Sequence, residues 1–145
     1  VIRHQFGTEE QAFRLRVGEW RDVEKACDAG LGEIAARIAP LASLVEAGAA
    51  AQAGGLLAAI SRGALGRARL DDVRAPILYG LIGGGRTSTE AGALVKLVFD
   101  EAIAAGEGPL LVFAPLALGI VLQAITGLPD ELEPETPGEA EAAGT

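Results

Sequence analysis

The stretch closest to a known chemical motif is Gly80-Leu81-Ile82-Gly83-Gly84-Gly85-Arg86-Thr87. Its spacing is that of the phosphate-cradling loop G-x-x-x-x-G-K-[ST], with Arg86 where the lysine belongs. That loop needs a strand before it, a helix after it and a compact ammonium on the phosphates. Here the preceding residues have apolar side chains at helical spacing, and a planar guanidinium is a poor steric substitute for the ammonium. No later apolar strand ending in Asp offers a magnesium partner. The expectation is a helix C-cap followed by an N-cap. His4 is the only histidine, so neither a His-based triad nor a zinc site assembles within one chain. Cys27 is the only cysteine and lies on the apolar face of a helical segment, where a free thiol packs as a small core residue. The carboxylates Glu24, Asp28, Glu33, Asp71, Asp72 and Asp100 are dispersed and fit caps or exposed faces. These residues point to no enzyme, no cofactor and no metal.

The elements that would position these residues centre on Leu70 to Glu101. Asp71 or Asp72 is suited to cap a first helix. Ile77, Leu78, Leu81 and Ile82 share one face of it, and Gly83, Gly84 and Gly85 end it. Thr87-Ser88-Thr89-Glu90 fits a capping box, which starts a second helix. Leu94, Val95, Val98 and Ile103 lie on one side of that helix, with Glu90, Lys96, Asp100 and Glu101 mostly on the other.

Upstream, Arg3 to Phe6 reads as a short strand and Gly7-Thr8-Glu9-Glu10 as its turn. Phe13, Leu15 and Val17 then alternate with Arg14 and Arg16, the period of a half-buried strand. A β-hairpin with Phe6, Phe13, Leu15 and Val17 on the core is expected. From Glu19 the period becomes helical: Trp20, Val23, Cys27 and Leu31 form one stripe, closed at Gly30. Trp20 on that stripe suits the core, with an interface anchor as the other role open to it. A short helix through Ile34 and Ile38 should stop at Pro40. The Ala- and Gly-rich segment 41–66 has poorly defined boundaries and reads as a variable insertion.

Leu110 to Leu128 has no charged residue and meets the length rule for a membrane span. Pro115 and Gly119 interrupt it, Gln123 and Thr126 add polarity, and no basic cluster flanks it. A core helix, buried all round, is the reading preferred over a membrane anchor.

The 145 residues suffice for one domain, and the hydrophobic half of them is dominated by alanine and leucine, which favours helices. The expected architecture is mainly α: a small helical domain over 1–128 with an N-terminal β-hairpin, and a disordered acidic tail over 129–145. Six of the 20 acids fall in that tail from Asp130 onward, with no base; the body carries 12 bases against 14 acids. Pro129, Pro134 and Pro137 sit among those acids, a composition too poor in apolar surface to order itself. A nearly neutral body offers no footprint for nucleic acid. The lone cysteine and the lack of a basic-plus-apolar leader suggest a cytoplasmic protein.

Several blocks carry a resemblance. Phe13-Arg14-Leu15-Arg16-Val17-Gly18-Glu19 leads into a helix closing at Asp28-Ala29-Gly30-Leu31-Gly32-Glu33-Ile34-Ala35-Ala36-Arg37. Asp71-Asp72-Val73-Arg74, Gly80 to Gly85 and a Thr/Ser-Xaa-Glu-Ala helix start follow. Over roughly residues 3 to 125, in scattered blocks, the chain resembles the small tail protein of alphaproteobacterial gene transfer agents and related siphophage-like elements. That family is described as a tail tube protein or a tail assembly chaperone; segment 41–66 is longer than its pattern. The resemblance implies a non-enzymatic chaperone that coats the tape-measure protein during long-tail assembly. Its expected partners are that protein and the tail tube protein, with homo-oligomerisation besides. The alternatives are a structural, tube-associated component in the virion tail and a small membrane-anchored protein. A tube wall normally needs extended sheet, and two strands offer little. Because a two-stranded edge can pair with a neighbouring subunit, Phe13, Leu15, Val17 and Trp20 are assigned as the partner-binding residues.

Overall fold

A computed structural model describes residues 1–46, 63 and 67–127. The chain is mainly helical, with an N-terminal hairpin and six helices among the described residues. Strand β1 (Ile2–Phe6) pairs antiparallel with β2 (Glu9–Phe13), placing Ile2 opposite Phe13 and Phe6 opposite Glu9. Only Gly7 and Thr8 remain for the turn. Gly7 sits at φ 75°, the positive value that the first central position of a II′-type turn requires.

The hairpin is therefore earlier and tighter than the alternation at Phe13 to Val17 suggests. After Phe13 the backbone leaves the sheet, and the Arg14 N–H donates to the Gly80 carbonyl at 3.0 Å. A helix then begins, because Glu19 Oε1 reaches back to the Arg16 N–H at 3.1 Å. Val17 is the first residue of helix α1 (Val17–Cys27) and is 75% exposed; it belongs to neither strand nor core. Leu15 is half-buried between the two elements.

Helix α1 turns Val23 and Cys27 inward and ends at Asp28, in the left-handed region at φ 52°, two residues before Gly30. Leu31 opens the next helix, so the apolar stripe read as one is shared between two. Helix α2 (Leu31–Glu46) runs straight through Pro40. Proline removes one helical donor, but Pro40 and Ala36, whose carbonyl loses that donor, are both exposed, so water can serve it. Ile34, Ile38, Leu41 and Ala42 are buried on the other side and hold the helix past the break.

Helix α3 (Leu70–Gly83) and helix α4 (Ser88–Ala104) form the expected helical hairpin. Thr87 caps α4 as a full box: its Oγ1 accepts from the Glu90 N–H at 3.1 Å, and Glu90 Oε1 accepts from the Thr87 N–H at 3.0 Å. At the start of α3 the cap is arranged differently. Arg69 occupies the cap position, and Asp72 reaches back to its N–H at 2.8 Å. Ile77 and Leu81 are fully buried, with Leu78 and Ile82 half-buried beside them. In α4 the inward side is Ala91, Val95, Val98, Phe99 and Ala102, whereas Ile103 is 62% exposed.

The uncharged run breaks at Phe113 into α5 (Pro109–Val112) and α6 (Ala114–Thr126). Among the described residues no helix is long and apolar enough to cross a membrane. Ala114, Leu116, Ala117, Ile120 and Val121 of α6 pack inward against α2 and α3. Leu122 and Ile125 stay 42% exposed, so this helix is not enclosed on all sides. Phe113 closes one end of the core, stacked on Phe99 at 4.7 Å and edge-on to Phe6 at 5.5 Å. The Ala/Gly-rich segment begins inside α2, and its residues 47–62 and 64–66, like the tail 129–145, lie outside the described residues.

Candidate interaction surface

The glycine loop is a joint between hairpin and helices. Gly80 to Gly83 complete the last turn of α3 instead of leaving a strand. A Cβ on Gly83 would stand 1.9 Å from the Arg14 carbonyl oxygen, and one on Gly84 2.1 Å from that of Ala12. The end of α3 thus lies directly against the backbone of β2, an approach only glycine permits. Arg86 is committed to the same joint: its Nε and Nη2 donate to Gln11 Oε1 at 3.1 and 2.9 Å, and Glu9 lies 3.7 Å away. With a helix before the loop and the guanidinium tied to the hairpin, the segment lacks the geometry of a phosphate cradle.

Two of the dispersed carboxylates, Asp72 and Glu24, become struts, while Asp71 and Asp100 pair within their own helices on the surface. Asp72 is fully buried, where an unpaired charge is costly. It accepts from the Arg69 N–H and, at 3.1 Å, from Arg37 Nη1. Arg37 also reaches Glu33 at 2.8 Å, and Arg67 meets Glu33 at 3.3 Å. Arg37 Nε is buried without a hydrogen-bond partner among the described residues. Arg69 Nη2 donates to the Cys27 carbonyl, and the Cys27 thiol donates to the Asp71 carbonyl at 3.2 Å. Burial first, and Asp72 second, push that thiol up to about 12. It stays protonated at neutral pH and is no nucleophile. Glu24 accepts from Trp20 Nε1 at 3.0 Å and from the Leu31 N–H at 3.1 Å, joining α1 to α2. Asp72 and Glu24 thus work as structural acceptors at helix junctions, whereas Glu33 pairs with Arg37 along α2, and none of these described contacts pairs a general acid with a general base.

The four residues assigned to partner binding end up in different environments. Phe13 is fully buried, edge-on to Phe6 at 6.0 Å, and has no surface to offer. Leu15 and Trp20 are half-buried, Trp20 with its indole N–H satisfied by Glu24; Val17 alone is well exposed. His4 is exposed on β1, with Nδ1 at 2.7 Å from the Gln5 carbonyl.

Exposed apolar surface lies elsewhere, on the outer sides of α4 and α6. Leu97 is 55% exposed on α4. It lines two adjoining open depressions of about 420 Å³ each. One is bounded by Ala93, Lys96, Asp100, Glu101 and Ala104, the other by the hairpin tip at Thr8 and Glu9. On α6, Leu122 and Ile125 stand one turn apart beside solvent. Sequence reasoning missed both places because apolar periodicity marks all such positions as core. The one sequence sign was excess: α4 and α6 carry more apolar residues than one face can hold.

No protein-family model, curated protein or solved structure matches this chain.

Proposed function

We propose that this protein is a non-enzymatic chaperone of long-tail assembly in a phage-like or gene-transfer-agent particle, holding an amphipathic segment of the tape-measure protein. The reading starts from the resemblance of the Phe13–Arg37, Asp71–Arg74 and Gly80–Gly85 blocks. The observation that supports it most is the open side of α6, where Leu122 and Ile125 remain partly exposed on a helix whose opposite side is core. An amphipathic helix binds by laying apolar side chains spaced at i, i+3 and i+4 against such a surface. The chemistry needed is apolar contact alone, with no titrating group, which agrees with the use of the buried Asp72 as a strut.

The test is size-exclusion chromatography with light scattering, without detergent, on the chain alone and co-expressed with the neighbouring long coiled-coil gene product. A stoichiometric complex that is lost in the Leu122→Asp, Ile125→Asp variant is expected. A protein that ignores this partner and is found in purified particles would replace the chaperone by a structural tail component.

A further inference from the structure

The acids that follow α6 begin three residues beyond its C-cap at Gly127: Asp130, Glu131, Glu133 and Glu135, with no base among them. The last turn of α6 carries no base either, so nothing in the helix offsets these charges or the negative end of its dipole. The course of α6 shows which part of the chain can do so. Its start lies at the closed end of the hairpin, where Phe113 meets Phe6 at 5.5 Å. Its middle has reached the open end: a Cβ on Gly119 would stand 3.7 Å from Ile2 Cδ1, and Ile2 pairs with Phe13 at the last rung of the sheet. The helix then runs on in the same direction for roughly 12 Å to Gly127.

Two arginines mark that open end. Arg3 stands opposite Ala12, and Arg14, two residues beyond Ala12, continues the same face by the alternation of a strand. Arg3 is exposed and Arg14 half-buried. Glu10 shares the face only near the turn, opposite Gln5, so the open end is positive. Like charges gathered on one face destabilise a hairpin unless acids are drawn to them. Measured from Gly127, extended chain reaches about 10 Å by Asp130 and about 27 Å by Glu135, enough to lead back to both arginines.

We propose that Asp130, Glu131, Glu133 and Glu135 close on Arg3 and Arg14 as a salt-sensitive strap, tying the end of α6 to the open end of the hairpin. A segment too poor in apolar residues to build a core can still be held by its charges. Exposed ion pairs are individually weak and screened, so the strap holds as a network and opens as ionic strength rises.

The inference goes beyond the chaperone reading and does not depend on it. Its test is paramagnetic relaxation enhancement in the full chain, with a nitroxide on Thr136→Cys. Cys27 is buried and its thiol raised to about 12, so the label goes to position 136 alone. At low salt the label should broaden the amide signals of residues 2–4 and 13–15, and that broadening should be lost in 0.5 M sodium chloride. Arg3→Glu with Arg14→Glu should abolish it at low salt, whereas Arg21→Glu with Lys25→Glu, on the exposed side of α1, should leave it intact. Should the arginine variant fail to fold, the set Asp130→Asn, Glu131→Gln, Glu133→Gln and Glu135→Gln removes the same attraction with the hairpin unchanged. No broadening of the open end at low salt, or broadening that survives either set of charge changes, would overturn the proposal. So would broadening that persists only between molecules, in a mixture of spin-labelled and isotope-labelled chains, since the tail would then serve a second copy.

Discussion

Replacing Gly84 by alanine tests the joint on which this fold turns. Its φ of −81° is open to any residue, so the demand for glycine comes from space alone. The added methyl would lie 2.1 Å from the Ala12 carbonyl oxygen, against a normal carbon–oxygen contact of about 3.3 Å. The hairpin and the end of α3 must therefore separate by roughly 1.2 Å, and the atom to be moved is backbone. Overpacking of this kind costs about 1–3 kcal/mol, and separation also strains the Arg14-to-Gly80 hydrogen bond, worth about 1 kcal/mol. A loss of about 2–4 kcal/mol is expected, out of the 5–15 kcal/mol or so that holds a typical domain. Urea unfolding followed by circular dichroism should show the midpoint falling by roughly 1–2 M at constant slope. Gly83→Ala should also destabilise: its methyl would stand 1.9 Å from the Arg14 carbonyl oxygen, a clash that the up to about 1 kcal/mol of helix propensity returned by alanine within α3 offsets only in part. Gly92→Ala is the control: it is interior to α4 with nothing within 4 Å of the new methyl. It should raise stability by about 0.5–1 kcal/mol. If Gly84→Ala unfolds with wild type, or Gly92→Ala loses as much, the close-approach argument is wrong.

Three further outcomes are expected. Arg37→Met should cost about 3–5 kcal/mol in the same urea assay, since it leaves the fully buried Asp72 carboxylate without its cation and with only the Arg69 N–H as a donor, and adding Asp72→Asn should recover part of the loss. The Cys27 thiol, raised to about 12 by burial and Asp72, should resist a disulfide reagent at mildly alkaline pH and react promptly once urea unfolds the chain; fast native labelling would contradict the burial. Glu90 is held below the usual carboxylate range by the Thr87 backbone N–H and then by the Thr87 side chain. A carboxyl lowered in the folded state contributes stability above its unfolded value and loses it as pH falls through the folded one. Wild type should therefore exceed Glu90→Gln in stability at neutral pH and converge with it in acid, and a gap independent of pH would refute the capping role.

Much of the secondary structure could be read locally. The Thr87–Glu90 box, the glycine stop after Ile82 and the stripe of Val23 and Cys27 depend on neighbours three or four residues away, which sequence spacing reports directly. Misreadings occurred where a local pattern had two physical solutions. Phe13 to Val17 alternates like a strand, but the reach of Glu19 to the Arg16 amide turns its second half into a helix start. Pro40 reads as a stop, yet four buried side chains around it outweigh one lost hydrogen bond whose acceptor faces water. The assigned binding residues show the same limit: alternation marks Phe13 and Val17 alike, and burial separates them completely.

The sequence by itself determined a mainly helical chain with one hairpin and the capping box that opens α4. These follow from residue type and short-range spacing. Only the tertiary structure decided that Asp72 is a buried strut for Arg37, 35 residues away, and that Gly83 and Gly84 are spaces for the hairpin backbone. It also decided which leucines and isoleucines remain outside. The physical reason is that burial and close approach are properties of pairs of distant segments. An amphipathic pattern says that a face can be covered, and only packing says whether another part of the chain is there to cover it.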